Sequence, residues 1–330
     1  MSERTGLGLT ELAVLEAIET VTGGRPRAFR TCAKVLGEID RGIGLGSRYG
    51  YDLLLDLARP WTTPVRLADG QGNLGEPGGD DPAAGPAYTK CRLSNAGKVV
   101  LEAERRHLAP VPLGLINGTR YRSTARPPWH AHEPTQPPLD PFRLLRALRA
   151  LVRNPGVPDA EILDLVGPPD FLTDCDITGD LAALAAGRAV TLRLTGRVTI
   201  ADQRHLIIGS LPPDVGAWEA LRVITSHANR SSWADSHPEL HRATHLPIAD
   251  VDDLSGHGEM RLQITLSAGA DPEVMRASLR GLEGVTMEAR VAFPAPLASM
   301  LRSWADRHRD EDIATSLAAL ESAIGQDRAV

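Results

Sequence analysis

The sequence predicts an α+β fold in two parts, a mainly helical N-terminal part and a mixed C-terminal part. Two observations predict it. Apolar residues recur at helical spacing through positions 1–60, and in the second half short alternating runs are interspersed with helical segments. The 330 residues, 42% of them hydrophobic and 24% charged, have the composition of a globular protein and are long enough for two domains.

Positions 1–60 are predicted to form three helices. The spacing of Leu12, Leu15 and Ile18 is helical, and the glycine pair at 23–24 ends that segment. A second helix covers 32–39 and ends at the glycines of the GIGLGS sequence, and a third follows at about Ser47–Ala58. Two helices joined by a short glycine turn are typical of a helix-turn-helix, whose last helix enters a DNA groove.

Residues 65–94 contain short apolar stretches separated by glycine-rich turns, which favours a β wing behind the three helices. We therefore predict a winged-helix DNA-binding domain over 1–108. A proline-rich connecting segment follows at 109–141, either an ordered crossing loop or a linker.

The C-terminal domain is predicted to span 142–330 and to be α+β. Its expected elements are a helix at about 141–153, a hairpin that begins at Val190 and turns at the ADQR sequence, and a strand–helix–strand unit over 260–293. One amphipathic helix is expected at about 297–324.

Charge is distributed unevenly between the two halves. Residues 1–150 carry 20 Lys and Arg against 16 Asp and Glu, while residues 151–330 carry 16 against 26, although the whole chain has a net charge of −6. A basic half joined to an acidic half indicates a polyanion-binding surface on the first part alone.

The sequence does not indicate a membrane protein, a secreted protein or a protein with a metal centre. There is no apolar run long enough to span a bilayer and no signal-peptide pattern, so we expect a cytoplasmic protein. The three cysteines are far apart in the sequence and form no CxxC, and the helically spaced His237, His241 and His245 lack the glutamate that a zincin motif needs after its first histidine. We expect no metal site on this chain.

One segment carries a specific signal. Its pieces are Asp69-Gly70-Gln71-Gly72-Asn73, Gly79-Asp80, Ala83-Ala84, Tyr88-Thr89 and Arg92-Leu93-Ser94. This order closely resembles the core of the DNA gyrase and topoisomerase IV A subunits, the type IIA DNA topoisomerases. The helical segments before it, the Leu115-Ile116-Asn117-Gly118 turn, the Gly167-Pro168-Pro169-Asp170-Phe171 segment and the hairpin from Val190 extend the resemblance over nearly the whole chain.

The resemblance implies a breakage-reunion core, with a winged-helix domain followed by a tower-like α+β domain and without the family's coiled-coil arm. It implies that Tyr88 is the catalytic nucleophile that attacks a DNA phosphodiester. The residues that it implies for DNA binding are Arg48, Gln71, Asn73, Thr89, Lys90 and Arg92. Mg²⁺ and ATP are expected on a gyrase-B-like partner, and a homodimer is expected through the winged-helix domain.

The chain departs from the family pattern around the tyrosine. Ala87 stands where the family has an arginine, Leu45 where it has a supporting histidine, and Leu12 and Ala13 where it has an arginine pair. Pro86 adds one residue in front of the tyrosine. Two functions therefore stay open: a protein that cleaves and rejoins DNA, and a non-cleaving paralogue that binds DNA or a topoisomerase subunit.

Overall fold

The computed structural model describes residues 5–23, 28–105, 111–118, 134–228, 246–256, 260–309 and 312–328. The helices are α1 (Leu9–Thr22), α2 (Cys32–Ile43), α3 (Ser47–Ala58), α4 (Asn95–Arg105), α5 (Leu113–Asn117), α6 (Pro141–Arg153), α7 (Asp159–Val166), α8 (Leu181–Ala185), α9 (Ala217–Ser226), α10 (Pro272–Leu279), α11 (Leu297–Arg307) and α12 (Ile313–Arg328). The strands are β1 (Arg30–Thr31), β2 (Ala68–Gln71), β3 (Lys90–Leu93), β4 (Asp176–Thr178), β5 (Val190–Thr195), β6 (Val198–Ile200), β7 (His205–Ile208), β8 (Ile248–Asp253), β9 (Leu262–Leu266) and β10 (Thr286–Val291).

The three predicted N-terminal helices are present as α1, α2 and α3. Their apolar faces are buried in a common core, to which Leu15, Leu36 and Leu54 contribute. The chain passes from α2 to α3 through Gly44 and Gly46, whose φ angles of 61° and 76° lie in the left-handed region that glycine adopts without strain.

A small antiparallel sheet lies against these helices, with strand order β1-β3-β2. Gln71 at the end of β2 pairs with Lys90 at the start of β3, so residues 72–89 form one long excursion between paired strands. We refer to residues 72–89 as the tyrosine loop, because they contain Tyr88. Helices followed by this sheet agree with the predicted order of elements, and the assignment as a winged helix stays a prediction.

Two further antiparallel sheets, with orders β10-β5-β4 and β6-β7-β9-β8, make the second half mixed. The α+β class is therefore confirmed. The predicted hairpin is correct for β6 and β7, but its first strand was predicted too long: β5 pairs with β4 and β10 instead. The strand divides at Gly196, whose amide donates to the carbonyl of Val285, and a Cβ there would overlap the carbonyl oxygen of Ser210.

The single C-terminal helix predicted over 297–324 is two helices, α11 and α12. The backbone leaves helical geometry at His308, and the carboxylate of Asp312 accepts a hydrogen bond from the amide of Thr315. An aspartate in this position satisfies an otherwise unpaired amide and starts a new helix, which the apolar spacing alone did not reveal.

Buried apolar residues form two clusters. The larger runs from α1 to α7 and also takes in α8, β5, β10, α11 and α12, so the end of the chain packs against its beginning. The smaller joins β6, β7, β8 and β9 with α9 and α10. The strand–helix–strand order β9–α10–β10 is as predicted, but its two strands lie in different sheets.

The proline-rich segment 109–141 is described in part and contains α5, a short buried helix that was not predicted. The domain boundaries at 108 and 141 and the tower-like character of the second half stay predictions. The histidines at 237, 241 and 245 lie outside the described residues.

Candidate functional site

Tyr88 lies near the end of the tyrosine loop, two residues before β3 begins. Its side chain is 83% exposed, whereas the neighbouring Thr89 is fully buried. The amide of Tyr88 donates to the carbonyl of Gly85 at 2.9 Å, which closes a turn beneath the phenol. The loop therefore presents the phenol to solvent from a backbone that is held in place.

The N-terminus of α2 holds the backbone on either side of Tyr88. The amide of Cys32 donates to the carbonyl of Thr89, and the amide of Ala33 donates to the carbonyl of Pro86, each at 2.9 Å. The first amides of a helix have no partner inside the helix, so these two are free to bind the loop. The short strand β1 places them there by pairing with β3.

Tyr51 of α3 makes a second attachment. Its hydroxyl donates to the carbonyl of Ala84 at 2.5 Å and lies 2.8 Å from the hydroxyl of Thr89. Burial raises the pKa of the Tyr51 phenol above its ordinary value, which keeps it protonated and able to donate. One side chain therefore binds both ends of the 84–89 segment.

Polar side chains and amides of the tyrosine loop itself stabilise the DGQGN turn at its start. Asn73 donates from its side-chain amide to the carboxylate of Asp81, and its side-chain oxygen accepts from the amide of Gly75, each at 2.7 Å. Arg59, which follows α3, donates to the carbonyl of Leu74 at 2.8 Å. These contacts fix the first part of the loop through its own side chains and one neighbouring arginine.

The far side of the loop is attached to the smaller core. The carboxylate of Asp80 accepts a hydrogen bond from the amide of Trp218, the second residue of α9, at 2.8 Å. The N-cap residue of α9 is Gly216, which has no side chain to accept this bond, and a Cβ on it would overlap the Asp80 carboxylate. The Gly-Asp pair of the sequence motif thus caps a helix that lies far along the chain.

The predicted DNA-binding residues divide into two groups. Arg48, Gln71 and Lys90 have exposed side chains, as a phosphate contact requires. Arg92 and Thr89 do not: Arg92 pairs with Asp69 at 2.9 Å and lies over the ring of Phe29, and the Thr89 side chain is buried against Tyr51.

Asn73 is exposed but is held within the DGQGN turn. The structure therefore gives Asn73, Thr89 and Arg92 positions that stabilise the loop, and their contact with DNA stays a prediction.

The positions that differ from the family are filled with apolar side chains. Leu12 and Leu45 are half-buried and pack against the larger core, and Ala87 is exposed beside Tyr88. Positions 12, 13, 45 and 87 thus carry none of the cations that the family pattern would place there.

Two cysteines lie directly behind the tyrosine loop. Cys32 and Cys91 are fully buried, and neither forms a disulfide. A hydrogen bond from the Cys91 thiol lowers the pKa of Cys32 to about 7, and the same contact together with burial raises the pKa of Cys91. The sequence spacing did not reveal this pair, because strand pairing brings the two residues together.

Within the described part of the chain, no group of three or more His, Cys, Asp or Glu side chains is arranged to hold a metal ion. In the same residues no helix is long and apolar enough to cross a membrane.

Known proteins similar to this chain are A subunits of DNA topoisomerases. The DNA gyrase A subunit of Nicotiana benthamiana, named chloroplastic/mitochondrial, is 27% identical over 300 residues, which cover 84% of this chain and 30% of that protein. The DNA gyrase A subunit of Chlamydia pneumoniae is 25% identical over 345 residues, 94% of this chain and 39% of that protein. The DNA topoisomerase 4 A subunit of Caulobacter vibrioides is 30% identical over 207 residues, 55% of this chain and 25% of that protein.

These similarities support a type IIA topoisomerase A-subunit-like family for the chain. The chain is a divergent relative of the DNA gyrase and topoisomerase IV A subunits, as the motif from Asp69 to Ser94 indicated. It spans about a third of the length of the gyrase subunits that it matches. No family model matches the chain.

Proposed function

We propose that this protein binds duplex DNA in the cytoplasm and cleaves and rejoins it through Tyr88, together with a gyrase-B-like partner. The observation that carries the proposal is the contrast between an exposed phenol and a firmly held backbone. Tyr88 is 83% exposed, while hydrogen bonds from α2 and from Tyr51 bind the residues on both sides of it. A nucleophile that must attack in line is best presented in this way.

The proposed reaction is a transesterification. The phenolic oxygen of Tyr88 attacks a backbone phosphorus, an O–P bond forms, and the bond from phosphorus to the 3′ oxygen breaks. The 3′ oxygen leaves with a proton, and the strand is held as a 5′-phosphotyrosine. Attack by the same 3′ hydroxyl reverses both bond changes, so the strand is resealed without an external energy source.

Exposed cations on this chain support DNA binding. Arg48 lies at the start of α3, and Lys90 opens β3 two residues after Tyr88. Both side chains are exposed and suited to phosphate contacts. We place Mg²⁺ and ATP hydrolysis on the gyrase-B-like partner, with a second copy of this chain across the DNA, as the resemblance implies.

A covalent-adduct assay tests the proposal. Purified protein, a gyrase-B-like partner, Mg²⁺ and supercoiled plasmid would be quenched with detergent and treated with protease. We expect protein-linked linear or nicked DNA with the wild-type chain and none with Tyr88→Phe. Tyr49→Phe is the matched control, since Tyr49 is also an exposed tyrosine of this region and should leave the adduct intact.

The second candidate is a non-cleaving relative that binds DNA or a topoisomerase subunit. The specific observation in its favour is that Ala87, which is exposed beside Tyr88, and the half-buried Leu45 stand at positions where the family pattern has cations. Losing one preorganised charge contact typically costs about 2.7–4 kcal/mol of transition-state stabilisation. No adduct with any variant, together with salt-sensitive DNA binding by all of them, would establish this function instead.

A further inference from the structure

Two thiols beneath the tyrosine loop have no part in the proposed DNA cleavage. β1 pairs with β3 in antiparallel register with Arg30 opposite Cys91, and the amide of Cys32 donates to the carbonyl of Thr89 at 2.9 Å. Because side chains alternate between the two faces of a strand, this register places Cys32 and Cys91 diagonally across one face of the pair. Both side chains are fully buried, and neither forms a disulfide.

The two thiols belong to a chain of polar side chains that reaches the tyrosine loop. The sulfur of Cys32 is in hydrogen-bond contact with the thiol of Cys91 and with the hydroxyl of Thr89. The Thr89 hydroxyl in turn lies 2.8 Å from the hydroxyl of Tyr51, the side chain that binds both ends of the 84–89 segment. A change at the cysteine pair is therefore transmitted directly to the groups that hold this segment.

The surroundings of the pair give its two members different reactivity. Cys32 is the first residue of α2, where the helix dipole favours negative charge, and its contact with the Cys91 thiol lowers its pKa to about 7. The same contact together with burial raises the pKa of Cys91. Cys32 is thus suited to react as a thiolate, and Cys91 lies beside it as a protonated second thiol.

The pair is buried but lies close to the surface along both chain segments. Thr89, which contacts Cys32, is flanked by the exposed Tyr88 and Lys90, and Ala33, which follows Cys32, is also exposed. Local opening of this part of the tyrosine loop is therefore enough to admit a small oxidant, without unfolding of the core.

We propose that Cys32 and Cys91 are a reversible disulfide site that a peroxide oxidises. The Cys32 thiolate attacks one peroxide oxygen, the O–O bond breaks, and Cys32 becomes a sulfenic acid while the other oxygen takes up a proton and leaves as water. The Cys91 sulfur then attacks the Cys32 sulfur, the S–O bond breaks, and a second water leaves with the Cys91 proton. The two thiols lose two electrons in total, and the peroxide gains them. A thiol reductant reverses the bond by exchange.

The disulfide joins the first residue of α2 to β3. The amides of Cys32 and Ala33 at this end of α2 bind the carbonyls of Thr89 and Pro86, on either side of Tyr88. A covalent bond between α2 and β3 prevents the two elements from separating, so oxidation holds the tyrosine loop in its closed arrangement.

Hydrogen peroxide is the probe that tests the proposal on the full-length protein. After treatment, the remaining thiols are alkylated under denaturing conditions and the peptides are mapped by mass spectrometry. We expect a reductant-sensitive cross-link between the peptides of Cys32 and Cys91, with Cys175 recovered as an alkylated thiol. Cys175 is the internal control, a half-buried cysteine whose pKa is raised by burial. Recovery of both Cys32 and Cys91 as alkylated thiols, under conditions that oxidise free glutathione completely, would overturn the proposal, as would cross-links formed only through Cys175.

Cys91→Ser separates the two steps, because it removes the second thiol and keeps a small polar side chain. In this variant Cys32 should stop at the sulfenic acid and be labelled by dimedone, whereas Cys175→Ser should form the same cross-link as wild type. No dimedone label on Cys32 in Cys91→Ser would contradict its role as the attacking thiol. The cross-link in wild type does not depend on whether any variant folds.

Hydrogen exchange measures the effect on the loop. In the oxidised wild type, exchange at the Ala33 amide should slow by at least about tenfold and return to its original rate with reductant. Unchanged or faster exchange would show that the disulfide does not hold the loop. Tyr88→Phe should form the cross-link as wild type does, so these results are independent of DNA cleavage.

Discussion

The hydroxyl of Tyr51 lies 2.8 Å from the hydroxyl of Thr89, the residue that follows the exposed Tyr88. The same Tyr51 oxygen donates to the carbonyl of Ala84. Helix α3, which the helix-turn-helix pattern predicts to enter a DNA groove, thus also holds the segment that carries the tyrosine. Substitutions on this helix are therefore expected to alter the position of the Tyr88 phenol even where the substituted side chain does not contact it.

Removing the Tyr51 hydroxyl should loosen the loop. Tyr51→Phe keeps the ring and loses both hydrogen bonds, so we expect the free energy of unfolding to fall by about 1 kcal/mol in urea titrations. Thr89→Val should cost a similar amount. The double variant should cost less than the sum, because each single change already breaks the shared contact. Strict additivity would contradict a direct Tyr51–Thr89 interaction.

The raised pKa of Tyr51 predicts a pH dependence with a definite sign. A phenol whose pKa is higher in the folded than in the unfolded protein stabilises the fold fully below the ordinary value of 10.0. That contribution is lost as pH rises through the folded pKa. The stability difference between wild type and Tyr51→Phe should therefore shrink as pH rises above 10.0, in parallel urea titrations. A difference that grows with pH would contradict this.

Local patterns were sufficient for α1, α2 and α3, because apolar spacing and terminal glycines are local properties of the chain. These local patterns were insufficient where a continuous apolar run pairs with one set of strands in its first part and with another set in its second part. The strand predicted from Val190 divides at Gly196 because the carbonyl of Ser210 approaches too closely for a Cβ, and that carbonyl belongs to the chain beyond β7. Contacts of this kind depend on the assembled fold.

The candidate site was likewise predicted from the sequence only in part. The motif from Asp69 to Ser94 located Tyr88 and the family. The role of Asp80 as a cap for α9 and the burial of Thr89 follow only from three-dimensional contacts. Arg92 carries a charge that the sequence assigned to DNA, yet it faces Asp69 on the paired strand β2.

Asp80 should prove important for the attachment of the tyrosine loop. Asp80→Ala removes the acceptor for the Trp218 amide, and we expect the free energy of unfolding to fall by about 1 kcal/mol. Asp80→Asn should have a stability between those of the wild type and Asp80→Ala, because it keeps an acceptor but no charge. Hydrogen exchange at the Trp218 amide should accelerate. Glu76→Gln is the control, an exposed carboxylate in the same loop whose change should leave this exchange rate unaltered.

Asp327 ties the C-terminal helix to α4. Its two carboxylate oxygens accept from the amides of Asn95 and Ala96, each at 2.9 Å, and the residue is 7% exposed. Asp327→Asn replaces one acceptor with a donor, so a buried amide loses its partner at a cost of about 1–3 kcal/mol. Thermal unfolding should show a lower midpoint for Asp327→Asn and no change for Gln326→Ala, its exposed neighbour. Equal midpoints for the two variants would show that the cap contributes nothing.

Lys90 and Arg92, two residues apart on β3, are expected to respond differently to loss of charge. Lys90 is exposed, so Lys90→Gln should weaken binding of duplex DNA and reduce the slope of log affinity against log salt by about 0.9, the value for one phosphate contact. Arg92 is engaged with Asp69 and Phe29, so Arg92→Gln should lower stability by about 1 kcal/mol and leave the salt slope unchanged.

Fluorescence anisotropy of a labelled duplex at several salt concentrations, paired with urea unfolding, separates these two effects. Asp69→Asn provides the matched control, because it breaks the same ion pair from the other side and should reproduce the stability loss of Arg92→Gln. If Arg92→Gln reduces the salt slope as Lys90→Gln does, Arg92 leaves Asp69 when DNA binds, and the loop rearranges in the complex.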